Sequence, residues 1–262
     1  MTARMRWRLF VRSFFIQALW SFENMQGLGF GFCMGPWLRE RCGASPPETR
    51  RALARHCEYF NTQPYMAGLA IGMACALEER VSASAAEDRP ALERKLRSLK
   101  SCAAGALAAI GDSFFWGAWR PFCTVLALAI GMTTVTCGAP PWTVAVAAAG
   151  GYVLVFNTPV LILRWRGVGL GYRWQDRFAA ELGRFPWQKS VKAARLAGTG
   201  LAAGCALVGL FTIMTGAPGR GAAAAAALAA GWAARAYGLT SRRLYAAVWL
   251  IGTAAAVVGF RW

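Results

Sequence analysis

Asp112 is the residue whose type and setting ask most clearly for a chemical explanation. It sits in Gly111-Asp112-Ser113, in the middle of the stretch Ser101 to Pro121, SCAAGALAAIGDSFFWGAWRP. That stretch begins as small apolar residues, resumes with Phe114, Phe115 and Trp116, and ends at Arg120 and Pro121. An Asp at membrane depth costs roughly 2.5–3.5 kcal/mol on insertion scales, so it ordinarily faces a pathway or a partner. Backbone that breaks at that depth persists only where protein or a water-filled cavity surrounds it. Two readings stay open. One is a re-entrant or broken helix lining a polar site; the other is a loop at the membrane surface in which Asp112 caps the following helix. Arg120 either anchors a helix end or pairs with Asp112.

Other chemistry-bearing residues are sparse. His56 is the single histidine. Its sulfur neighbour is Cys57, and an adjacent pair on a helix is poor chelating geometry. His56 is therefore expected to satisfy a local hydrogen bond, with a phosphate relay as the lesser reading. The eight cysteines form no CxxC pair. Cys75, Cys102, Cys123 and Cys205 lie in apolar stretches and read as small hydrophobes. There is no Gly-rich phosphate loop of Walker type. No catalytic residue, metal ligand or cofactor is expected.

The elements that position Asp112 follow from composition. The chain has 262 residues, 56% hydrophobic and 16% charged, with mean hydropathy +0.36. An ordinary soluble domain carries about a quarter charged residues. The formal charge of +17 raises nucleic acid as a partner. The basic residues instead fall between apolar runs, as in cytoplasmic loops of membrane proteins, so no nucleic-acid partner is expected.

The first residues, MTARMRWRLFVRSFF, are basic and aromatic. Arg4, Arg8 and Arg12 share one helical face, with Val11, Phe15, Ala18 and Phe22 as an apolar stripe beside it. This predicts an amphipathic helix in the cytoplasmic membrane interface, also able to pack on the rest of the protein. Arg12 and Gln17 interrupt any signal-peptide core. Ser45, Pro46 and Glu48 predict a capped helix start. Pro64 disfavours helix at Gln63, so a turn is expected near Asn61 and Thr62. From Pro64 to Leu77 the chain is apolar for too short a run to span, against the ~20 residues needed, and suits half of a re-entrant hairpin. Residues 78–100 read as a cytoplasmic loop with a short helix near its end. Apolar stretches follow at about 114–136, 142–163, 193–215, 222–237 and 244–260. Short neutral turns, Cys137 to Pro141 and Gly216 to Gly219, alternate with basic connections at 164–192 and 238–243. That alternation places the basic segments inside the cell and Trp262 outside.

The predicted fold is all-α: an integral membrane protein with an interfacial amphipathic N-terminal helix, re-entrant or broken helices and about five transmembrane helices. The expected organisation is one membrane domain over 1–262. Its 1–100 part is amphipathic and re-entrant, and its 101–262 part is transmembrane.

Three strings carry a resemblance: RSFFIQALWSFENMQGLGFGF, RHCEYFNTQPYMAGLAIGMACALEE and SLKSCAAGALAAIGDSFFWGAWRP. In this order and spacing the chain resembles the IID membrane component of the mannose/fructose/sorbose-family sugar phosphotransferase system, and Phe156 to Trp174 continues the match. The resemblance implies a multi-pass protein of the bacterial cytoplasmic membrane, working as a hetero-oligomer. It implies a IIC membrane partner and soluble IIA and IIB proteins whose histidines carry the phosphoryl group. It implies uptake and phosphorylation of a mannose-type hexose, with no catalysis by this subunit alone. The chain departs from the family between about 215 and 222, where family members carry a longer polar insertion. That departure keeps a second reading open, a non-transporting regulatory or receptor homologue.

A hexose offers several hydroxyls, each needing a partner once desolvated. Carboxylates and amides held by turns in an apolar wall suit that task. The candidates are Asn61 and Asp112, where apolar elements are interrupted, then Glu23, Gln26, Thr62, Ser113 and Asn157, with Asn24 beside them. The structural alternative for each is capping a broken helix or bonding across to IIC. The basic segment 164–195 is read as topology, or as a docking face for phosphorylated IIB.

Overall fold

The computed structural model describes residues 1–41 and 46–216. In chain order the elements are α1 (Ala3–Ser13), α2 (Gly27–Arg41), α3 (Pro46–Cys57), α4 (Ala67–Ala83) and α5 (Arg89–Gly111). A π-helical segment (Asp112–Trp119), α6 (Arg120–Thr136) and α7 (Pro141–Trp174) follow. A 3-10 turn (Gln175–Arg177), α8 (Phe178–Arg184) and α9 (Trp187–Gly216) close the described chain. The chain divides into two units, Met1–Leu201 and Ala202–Trp262. The Ser45 cap, the apolar stretches 222–237 and 244–260, the turn at 217–219, the basic residues 238–243 and Trp262 lie outside the described residues.

Among the described residues, three helical stretches are long and apolar enough to cross a membrane: Arg89–Thr136, Pro141–Arg184 and Trp187–Thr212. They contain the first two of the predicted apolar stretches, and the third, 193–215, as far as Thr212. The connections between them are more helical than the sequence suggests. The polar segment after Leu77 is mostly the end of α4 and the start of α5. The basic segment from Arg164 begins as the last turns of α7. The turn after α6 is as expected: Gly138 adopts φ +73° and its N–H reaches Val135 O at 2.9 Å. A left-handed residue just past a helix end suits glycine.

α4 is the core. Every residue from Ala67 to Glu78 is buried, which explains its all-round apolar sequence: such a helix is enclosed rather than amphipathic. It continues through Arg80 to Ala83, beyond the apolar run that ends at Leu77. Its main neighbour is α7, and small residues set their approach. Side chains added at Gly72 or Gly171 would collide with the backbone carbonyls of Val168 and Leu69 respectively. Gly68 and Gly167 line the same seam. Small residues four apart on facing helices permit this close backbone packing.

The N-terminal helix corrects the expected stripe. Thr2 Oγ1 accepts from Met5 N–H at 3.2 Å and starts α1, but the helix stops at Ser13. The buried side is Met5, Leu9 and Ile16, while Val11, Phe15 and Phe22 are exposed. The cause lies far along the chain. Arg164 Nη1 donates to Ser13 O at 2.6 Å, and the backbone beyond tightens to i−3 bonds, Phe15 N–H to Arg12 O and Ala18 N–H to Phe15 O. The expected helical face therefore does not continue past Ser13. The exposed apolar groups there, Trp7, Phe14, Phe15, Trp20 and Phe22, still form a surface suited to a membrane interface.

Candidate functional site

Asp112 lies where the sequence locates an interruption, but the chain does not turn there. The helix rewinds into π geometry over Asp112–Trp119 and continues. Arg120 N–H reaches back to Phe115 O, the five-residue step of a π-helix, and such segments occur frequently at functional sites. The insertion is braced from two other helices. Arg195 Nε of α9 donates to Gly117 O at 3.1 Å, and Trp119 Nε1 reaches Phe156 O of α7 at 3.4 Å. Neither cap nor loop describes Asp112: it stands within a continuous helix, exposed. Its Oδ1 accepts from Gln63 Nε2 at 3.4 Å. Arg120 does not pair with it; its guanidinium lies over the Trp116 ring at 5.3 Å.

Gln63 is brought there by two irregular segments that brace each other. The stretch before α2 and the stretch between α3 and α4 meet in isolated bridges, Ser21 with Met25 and Met25 with Phe60. Met25 sits at φ 51°. Gln26 and Thr62 then lock the two segments: Gln26 Nε2 donates to Thr62 O at 2.8 Å, and Thr62 N–H donates to Gln26 Oε1 at 3.1 Å. Thr62 Oγ1 donates to Ala104 O of α5 at 3.1 Å, tying the pair to the helix that carries Asp112. Gln63 Oε1 accepts from Tyr65 N–H at 3.2 Å. Gly111 leaves room for it, since an added Cβ would overlap Gln63 Cβ and Cγ.

The structure thus separates the candidates. Gln26 and Thr62 are buried, with their polar atoms bonded to each other and to α5. Asn61, Glu23, Asp112 and Ser113 are exposed. The Met25–Phe60 bridge sets Glu23 and Asn24 alongside the Asn61 segment, and the Gln63 bond joins that segment to Asp112. Asn157 stands apart on α7, its Nδ2 donating to Val153 O at 2.8 Å. Below the loop, the Tyr65 ring packs against Phe115, Trp116 and Phe156 with centroids 4.9, 5.8 and 5.9 Å away. Arg164 Cζ lies 5.5 Å from the same ring. The arrangement presents acceptors and amides beside aromatic faces, a set for hydroxyl recognition, with no nucleophile held by a base.

A second polar cluster escaped the sequence reading. Glu78 of α4 takes a bidentate pair from Arg55 at 2.8 and 2.9 Å and a bond from His56 Nε2 at 2.8 Å. Arg55 also pairs with Glu93 at 2.8 Å. Lys100 Nζ donates to Arg55 O and His56 O at 3.1 and 3.2 Å. His56 is 0% exposed, so no phosphoryl donor reaches it. Burial holds its imidazole below the ordinary value, outweighing the nearby carboxylate, and the neutral ring donates to Glu78. Burial opposes ionisation of Glu78, but the His56 and Arg55 hydrogen bonds prevail and hold its carboxyl at about 2. The signal was present: Glu78 ends an apolar run as abruptly as Asp112 interrupts one. Gln63 was equally visible, an amide immediately before Pro64.

Comparison with known proteins gives these features a context. Residues 1–212 match the family described as PTS system mannose/fructose/sorbose family IID component. The chain is 33% identical over 190 residues to the PTS system mannose-specific EIID component of Escherichia coli (strain K12), covering 72% of this chain and 62% of that protein. It is 30% identical over 190 residues to the PTS system sorbose-specific EIID component of Klebsiella pneumoniae, covering 72% and 64%. The match thus spans less than two thirds of those relatives' length. Among solved structures, the fold resembles one described as "Structure of membrane protein", with TM-score 0.68, 24% identity and coverage of 98% of this chain and 97% of that one. It also resembles a chain of the Mannose Transporter ManYZ and Microcin E492 (MceA) complex, with TM-score 0.58, 24% identity and coverage of 99% and 97%. These structural likenesses concern the fold.

Proposed function

The chain belongs to the IID components of the mannose/fructose/sorbose-family phosphotransferase systems, and from that membership we propose that it is a membrane subunit of a sugar-translocating permease. It joins a IIC membrane partner in the bacterial inner membrane, and the pair admits a mannose-type hexose. Soluble IIA and IIB proteins carry the phosphoryl group, in keeping with the enclosure of His56, the one histidine here. The names of the two relatives, one mannose-specific and one sorbose-specific, support the substrate class. The basic stretch from Arg164 to Lys192 faces the cytoplasm, following the positive-inside rule.

The observation that carries this reading is the open carboxylate of Asp112. It stands in a π-helical segment of a helix apolar enough to cross a membrane, tethered by Gln63 and otherwise available. Asp112, Ser113, Asn61 and Glu23 offer hydrogen bonds to sugar hydroxyls or to IIC. Gln26 and Thr62 hold the loop that aims them. Hydrogen bonds to a charged group contribute ~1.5–3 kcal/mol, so losing one lowers capture about ten- to a hundredfold.

The test is co-expression with the IIC partner and uptake across a hexose panel. The two membrane proteins should copurify stoichiometrically, and the lone subunit should bind no hexose measurably. Asp112→Asn keeps the shape and removes the charge. It should insert and copurify as wild type yet take up limiting sugar at least tenfold more slowly. Full uptake by that variant at matched protein level returns Asp112 to a structural role; saturable binding by the lone subunit rejects a shared pocket.

A further inference from the structure

Between α1 and α7 lies a cavity of about 640 Å³ that the sugar site does not use. Its charged lining is entirely cationic: Arg6 from α1, Arg166 and Arg173 from α7, with Gly169, Leu170 and Tyr172 between them. Arg166 and Arg173 are exposed, and among the described residues no carboxylate pairs with any of the three arginines. Arg6 is oriented rather than neutralised. Its Nε and Nη2 donate to Trp165 O at 3.1 and 2.9 Å, and its Cζ lies 4.2 Å from the Trp165 ring centre. Nη1 is left for a ligand. Gly169 keeps the floor low: a Cβ there would touch Arg6 Cζ at 3.4 Å. Burial, then the charges of Arg173 and Arg166, push the Arg6 guanidinium below its ordinary value, as expected of cations gathered without a counter-ion.

The cavity's depth in the membrane follows from α7 itself. From Pro141 to Leu163 the helix carries no charged residue. At ~1.5 Å rise per residue that run is about 34 Å long, close to the ~30 Å hydrocarbon thickness. Trp142, 69% exposed, stands at one end and Trp165 at the other. Exposed Trp7 packs edge-on to Trp165 with centroids 5.9 Å apart, and Phe10 joins them at 5.4 Å. Tryptophans at both ends of an apolar run mark the two interfaces. The three arginines therefore sit at headgroup level, beside an exposed aromatic patch on which acyl chains can lie.

We propose that this cavity binds the headgroup phosphate of an anionic phospholipid, clamped by Arg6, Arg166 and Arg173 at the cytoplasmic interface. Basic pockets at that level are suited to acidic headgroups. A zwitterionic lipid brings a choline or ethanolamine cation that three guanidiniums repel, so selectivity for anionic lipid is expected.

The test uses the full chain, purified and delipidated, with bound lipid counted by native mass spectrometry. Phosphatidylglycerol should bind at least tenfold more tightly than phosphatidylcholine of the same acyl chains. Arg166→Gln with Arg173→Gln should reduce phosphatidylglycerol binding about tenfold or more, taking ~1 kcal/mol per basic residue near a membrane surface. Both positions are exposed, so melting in neutral detergent should match wild type. Gly169→Leu fills the floor with every charge in place and should lower binding too. Equal binding of the two lipids overturns the proposal, as does undiminished phosphatidylglycerol binding in the double variant. Displacement of the lipid by millimolar inorganic phosphate overturns it in favour of a soluble phosphate. Loss of a phosphorylated IIB partner by the double variant, with lipid binding intact, overturns it in favour of protein docking.

Discussion

The two polar clusters of this protein are built from similar residue types and used oppositely. Around Glu78, a carboxylate is enclosed by Arg55 and His56, and Lys100 caps the carbonyls of α3. Around Asp112, a carboxylate has one tether at 3.4 Å and remains exposed. Enclosure of paired charges fixes three helices, α3, α4 and α5, at a desolvation cost that the pairing must offset. An open carboxylate retains its hydrogen-bonding capacity for something outside the chain. The difference separates polar residues that hold the fold from those left open at the surface more clearly than residue type does.

The strongest way to break this comparison is Glu78→Gln. Removing one charge from a buried network strands the others, at about 3–5 kcal/mol. Much less folded protein should be recovered, and it should melt earlier in detergent by size-exclusion fluorescence. A variant with wild-type melting and lost uptake would move Glu78 to the functional side. A smaller effect is expected from Gly111→Ala, whose Cβ pushes Gln63 away from Asp112. Overpacking of this kind costs about 1–3 kcal/mol, and uptake should fall with the lost tether. Combined with Asp112→Asn, the two losses in uptake should not add, because both act through one contact.

The mildest test is pH. Glu78 is held at about 2, below the ordinary carboxylate range, so its contribution is complete above about 4.5 and declines as pH falls toward 2. His56 is held below its ordinary value, so the folded state resists protonation and loses stability as pH falls below ~6.5. Both signs agree: melting temperature should drop on acidification from pH 8 to 5, first through His56. His56→Gln should flatten that upper part of the profile. A profile unchanged by His56→Gln would mean that the imidazole titrates as it does in the unfolded chain.

How much of this was legible depended on how far the cause lay along the chain. The interruption at Asp112 was readable because a polar triplet within an apolar run is a local conflict. Its form was not readable, because the π winding is braced by Arg195 and Trp119 through tertiary contacts. The stop of α1 at Ser13 was hidden for the same reason: the guanidinium responsible belongs to Arg164. The three long apolar helical stretches and the turn at Gly138 follow from local composition and emerged as expected. The glycine pairs Gly68–Gly72 and Gly167–Gly171 were fully visible, but spacing alone does not say which two helices meet.

That glycine seam has a mechanical consequence. Where backbone carbonyls rest in slots that admit no side chain, displacing one helix along the other by a single residue would drive Leu69 O or Val168 O toward a bulky neighbour. α4 and α7 are therefore keyed in register like a spline in its groove. They can be carried together but cannot slip, so a displacement imposed on the Trp174 end of α7 is passed on to α4.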